Sequence, residues 1–92
     1  MLDKTISDAI QKTNLQLKNE NHIQNVDSQL LMKKGSNVSS LGLAIFISTL
    51  ENEIYKETGF KIKLIDALNT GADVSFLEDI GKLKAYLSKE IK

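Results

Sequence analysis

The chain has 92 residues, of which 41% are hydrophobic, and its twelve basic side chains balance twelve acidic ones. That suits one small domain with a single apolar core, and the absence of a basic face argues against nucleic acid as a partner. There is no Cys to make disulfides or thiolate metal sites, and no apolar run approaches the length of a transmembrane helix.

With no Pro and only five Gly, the composition suits helices joined by polar loops. The opening MLDKTISDAIQKT alternates acidic with polar residues and does not read as a signal peptide, so a cytoplasmic location is expected. From Leu2 to about Lys18, the residues Leu2, Ile6, Ala9, Ile10, Thr13 and Leu17 mark one stripe of a first helix, with Asp3 suited to its opening turn. Asn19 to Asn25 is a polar run without periodicity and starts a long loop. His22 lies there with no second His or Cys to join it, and reads as ordinary surface. In Val26 to Lys34 the apolar knot Leu30, Leu31, Met32 reads as a turn or short helix, capped by Asp27 or Ser28, that plugs Leu30 or Leu31 into the core. Lys33 and Lys34 read as solvated surface, and Gly35, Ser36 and Asn37 form a turn signal.

Ser39 to Glu57 is the clearest helix. Leu43, Phe46, Ile47, Leu50 and Ile54 share its core-facing stripe, whereas Leu41 and Ile45 fall on the far side and should meet solvent or a partner. Ser39 is a good N-cap, and Ser40 then stands in the first turn, where free N–H groups and the helix dipole favour an anion. Glu51, Glu53 and Glu57 spread around the helix as a solvated face. Thr58 and Gly59 stop it, with Gly59 suited to a left-handed C′ position. Phe60, Ile62 and Leu64 alternate with Lys61 and Lys63, which reads as an extended loop burying Phe60 and Ile62. Leu64 to Asn69 makes a short helix with Ile65 and Leu68 facing the core, ended by residues 70–73. In the last helix Phe76, Ile80, Leu83, Leu87 and Ile91 recur at helical spacing. Ser75 with Glu78 forms a capping box that would start it at Phe76; a start near Asp79 is the alternative.

Three stretches in register resemble the acyl carrier protein family. Ser39, Ser40 and Leu41 occupy the positions of the D-S-L motif that opens the family's second helix, Gly59 to Ile62 looks like the loop after it, and DIGKLKAYL from Asp79 to Leu87 looks like its closing helix. The resemblance covers about residues 26–91 and implies an all-α fold, a small bundle of three main helices plus one short helix, with the long first loop crossing one end. It also implies 4′-phosphopantetheine, donated by coenzyme A through a phosphopantetheinyl transferase and attached to Ser40. Cargo would be held on it as an acyl or aminoacyl thioester and presented to loading and transferring enzymes of lipid or secondary-metabolite synthesis. Ser39 would keep the cap beside the attachment point, Gly42 would leave room for the arm, and Leu41 and Ile45 would dock partners. Such a chain is a monomer without catalysis of its own, since Ser40 has no neighbouring base in sequence. The alternative from another class is an unmodified helical interaction module presenting Leu41 and Ile45.

Overall fold

Hydrophobic periodicity becomes four α-helices among the residues described by the computed structural model, which are 2–70 and 74–91, with the side chains of Leu2, Leu68 and Asn69 left out. Helix α1 spans Leu2–Asn14, α2 Ser40–Thr58, α3 Leu64–Thr70 and α4 Ile80–Glu90, with single 3-10 turns at Asn19–Asn21 and Ser75–Leu77. The fold is therefore an all-α bundle of three main helices and one short one. Helix α1 lies chiefly along α2, α3 leans on α2, and α4 closes against α1. Ile6, Ala9 and Ile10 of α1 meet Phe46, Ile47, Leu50 and Ile54 of α2 and Ile80, Leu83 and Leu87 of α4 in one buried cluster. Each large side chain so buried contributes about 1.5–3 kcal/mol, so these three stripes dominate the fold.

Most departures from the local pattern trace to a contact outside the segment concerned. Helix α1 stops at Asn14, not Lys18, because the Asn14 side chain turns to the main chain of Ile23. That bond carries Ile23 out of the polar run and into the core. Leu15 is left 87% exposed, and Leu17 is half-buried outside the helix. His22 is half-buried, not plain surface, and its Nε2 donates to the Leu17 carbonyl at 3.1 Å.

Residues 26–34 form no helix, and neither Asp27 nor Ser28 caps one. They run antiparallel beside the start of α4, with a bridge between Leu30 and Asp79. Leu31 N donates to Glu78 O at 2.7 Å, Met32 N to Leu77 O at 3.0 Å, Ile80 N to Gln29 O at 3.0 Å and Gly81 N to Asp27 O at 3.0 Å. These bonds satisfy the backbone groups that a local helix would have paired internally. Leu31, and not Leu30, is the fully buried plug.

Gly59 ends α2 at φ +74° as the sequence predicts, its N–H donating to Tyr55 O at 2.8 Å. Ile62 is buried beyond it, but Phe60 is not, at 42% exposed. The short α3 begins at a buried Leu64, with Ile65 packed partly against the core. The expected core contact of Leu68 and the closing residues 71–73 lie outside the described residues. Helix α4 takes the later of its two starts, since Asp79 Oδ1 accepts from Lys82 N at 2.8 Å. Ser75 to Leu77 wind instead into the 3-10 turn, burying Leu77, while Phe76 stacks on Tyr86 with ring centroids 3.9 Å apart.

The acidic face expected on α2 is not simply solvated. Glu51 Oε2 accepts from Ile65 N at 2.7 Å and so caps α3 from outside. Glu53 is 6% exposed. Its Oε2 lies 2.8 Å from Lys12 Nζ and 3.4 Å from Lys56 Nζ.

Candidate functional site

Ser39 sets where α2 begins. Its backbone is extended, at φ −72° and ψ 164°, and its Oγ accepts from Gly42 N at 3.0 Å. This is the N-cap that the sequence predicts, and it makes Ser40 the first helical residue. Ser40 is exposed, and among the described residues its hydroxyl has no hydrogen-bond partner. No acidic side chain occupies the first turn of α2, so the unpaired amides there and the positive end of the helix dipole meet no carboxylate of their own turn.

Ser39 and Ser40 stand at the edge of an open cleft of about 530 Å³ between the first turns of α2 and the loop before it. Met32, Lys33, Lys34 and Gly35 form its opposite wall. That wall is held by polar side chains. Gly35 turns the chain at φ +96°. Ser36 Oγ donates to Leu30 O at 2.8 Å and accepts from Val38 N at 3.0 Å. The buried Gln29 donates through Nε2 to Leu30 O at 2.7 Å and to Asn37 Oδ1 at 2.9 Å, and accepts at Oε1 from Gln24 N at 2.9 Å. Asn37 Nδ2 then donates to His22 O at 2.8 Å and Glu20 O at 3.1 Å. The whole approach to Ser40 is thereby tied to the 3-10 turn. Sequence reasoning misses Gln29 and reads Asn37 only as part of the turn signal with Gly35 and Ser36, not as the hydrogen-bond partner of Gln29.

Of the two apolar residues expected on the outer side of α2, Leu41 is 71% exposed, whereas Ile45 is half-buried. Gly42 does not face the approach to Ser40. It is buried, and a Cβ there would stand 3.2 Å from Ser39 Oγ and 3.3 Å from Leu17 Cδ1. Its missing side chain therefore makes room for the cap and for the first loop, which corrects the expectation of clearance for an arm.

The perturbed charges lie elsewhere. The hydrogen bond from Lys12 holds the Glu53 carboxyl below the usual carboxylate range, and the same bond raises Lys12. Thirteen residues separate Ser40 from Glu53, about 20 Å along the helix axis, so this group braces α1 on α2 and does not act on Ser40. Among the described residues no group of three or more His, Asp and Glu could hold a metal ion, and no helix is long and apolar enough to cross a membrane. His22, already bonded to Leu17, is not placed on Ser40 by any hydrogen bond. What the arrangement offers chemically is an exposed hydroxyl at a helix start, without a hydrogen-bond partner among the described residues. Compared in turn with family models, curated proteins and solved structures, the chain matches none.

Proposed function

We propose that the domain is a carrier of the acyl carrier protein type, with 4′-phosphopantetheine joined to Ser40. The observation that carries this reading is the exposed Ser40 hydroxyl at the first position of α2, behind the Ser39 cap and on the rim of an open cleft. The residues present fit the group: nothing walls in the hydroxyl, and the free amides of the first turn suit a phosphodiester. The Ser40 oxygen would take the phosphorus–oxygen bond that coenzyme A gives up, with 3′,5′-adenosine bisphosphate leaving and the hydroxyl proton passing to a base of the transferase. When bound, the group supplies the thiol that holds acyl or aminoacyl cargo as a thioester, consistent with a chain that has no Cys of its own. Leu41 supplies apolar contact for docking enzymes, and tethering raises the cargo's effective concentration at each of them. The carrier works as a cytoplasmic monomer in lipid or secondary-metabolite synthesis and leaves all catalysis to its partners.

The test is a mass measurement after incubation with coenzyme A and a broad-specificity phosphopantetheinyl transferase. One added phosphopantetheine is expected, retained in Ser39→Ala and lost in Ser40→Ala. Unmodified protein across several transferases would leave the second reading, an unmodified interaction module, which the 71% exposure of Leu41 supports independently.

A further inference from the structure

We infer that the cleft beside Ser40 takes an acidic, apolar-striped segment of a partner protein. Lys33 and Lys34 line it; like Lys18, Lys61, Lys63 and Lys89 they have no ion-pair partner among the described residues, but they alone of these stand on the cleft beside Ser40. Across the cleft, α2 bears no charged side chain from Ser40 to Leu50. Its first two carboxylates are already engaged, Glu51 by the Ile65 amide and Glu53 by Lys12 and Lys56. The neutral chain therefore places two cations without ion-pair partners among the described residues beside a charge-free stretch of α2, and the helix dipole at Ser40 adds to their field.

The second half of the complement is apolar. Met32, on the cleft wall, is 43% exposed and Leu41, beside Ser40, is 71% exposed. Two lysines flanking such residues match a segment whose Asp or Glu side chains border Leu, Ile or Met. Two cations neutralise too few phosphates to hold a nucleic acid, and the wall offers Leu31, Met32 and Val38 rather than an aromatic platform for bases. The same count is too small for stable anchoring on an anionic membrane surface.

The inference rests on the proposed carrier role for why a partner comes here: an enzyme acting on Ser40 or its cargo would bring the acidic segment. Its test does not depend on that role. The full isotope-labelled chain is titrated with two helical peptides that share one Leu stripe, flanked by Glu in one and by Lys in the other. The Glu peptide is expected to shift amides of residues 32–36 and 40–45, to bind more weakly as salt rises, and to lose at least about tenfold in affinity to Lys33→Glu/Lys34→Glu. Leu41→Ser should weaken it as well. If the double reversal does not fold, Lys33→Gln/Lys34→Gln is measured in its place.

Equal binding of the Lys peptide, no binding of the Glu peptide at millimolar concentration, or an affinity indifferent to both lysines overturns the inference. So does tighter binding of oligo-dT, or of phosphatidylcholine vesicles containing phosphatidylserine, through the same lysines. Mass analysis separates the two proposals. Should Ser40 never accept phosphopantetheine while the Glu peptide still maps to this cleft, the carrier role falls and the acidic partner stands.

Discussion

Asn14 grips the main chain of Ile23 from both sides, Oδ1 accepting from Ile23 N at 2.8 Å and Nδ2 donating to Ile23 O at 3.0 Å. One amide side chain thus does for Ile23 what a neighbouring strand would do, and lets a residue of a polar loop enter the core. Asn14→Ala leaves both backbone groups unpaired beside a buried side chain. A stability loss of about 2 kcal/mol is expected, or roughly 10 °C in thermal unfolding followed by circular dichroism. A midpoint unchanged by the substitution would mean that the loop is held by other contacts.

The two serines at the start of α2 separate cleanly in stability. Ser39→Ala removes the acceptor for Gly42 N and should cost about 1 kcal/mol in urea unfolding. Ser40→Ala removes a hydroxyl without a partner among the described residues and should stay within about 0.5 kcal/mol of wild type. Ser39→Asp keeps the acceptor and adds a charge that the dipole favours, so it should be at least as stable as wild type. Should Ser40→Ala prove the costlier of the alanine variants, the placement of the cap is wrong.

The Lys12 bond to Glu53 makes stability depend on pH at both extremes. Glu53 is held below the usual carboxylate range when folded. Its contribution is therefore present above the unfolded value of about 4.3 and disappears as pH falls through the folded one. Glu53→Gln should cost about 1 kcal/mol at neutral pH, with the gap to wild type closing in acid. Lys12 is raised when folded, so its contribution is present below about 10.4 and fades as pH climbs past that into the folded value. Urea unfolding of both proteins from acid to neutral pH checks the first limb. A gap that persists in acid contradicts it.

Two glycines should fail for different reasons. Gly59 has φ +74°, and a Cβ built there would meet no atom within 4 Å, so Gly59→Ala costs about 1 kcal/mol from backbone strain alone, and Gly59→Asn less. Gly81 has an ordinary helical backbone, but a Cβ there would stand 3.2 Å from Asp27 Cβ and 3.3 Å from Asp27 O. That carbonyl is fixed by its own bond to Gly81 N at 3.0 Å. Gly81→Ala should therefore lose about 1 kcal/mol despite alanine's better helix propensity, and Gly81→Asn more. Stabilisation by Gly81→Ala would show that the loop yields.

What the sequence made legible follows from range. Phe46, Ile47, Leu50 and Ile54, and then Ile80, Leu83 and Leu87, declare their burial through spacing within one helix, and all are buried. The Ser39 cap joins residues only three apart, so it too was readable. Ile23, held by Asn14 nine residues before it across the end of α1, and Leu77, paired with Met32, are buried through contacts outside their own segments and carry no period of their own. Glu53 was misread for the same reason, because Lys12 reaches it from 41 residues away. At the site, Ser39 and Ser40 were visible, whereas the wall built from Lys33, Gln29 and Asn37 depends on strand-like pairing with residues 77–81 that no local pattern announces.

That pairing orders events during synthesis. The segment framing Ser40 takes its main-chain partners from Leu77, Glu78 and the turn into α4, nearly forty residues downstream of the serine. Until residues 77–81 have been synthesised, the basic rim beside Ser40 lacks these main-chain partners. On the proposed docking, an enzyme that reads that rim would have to wait until the start of α4 is free to pair with it.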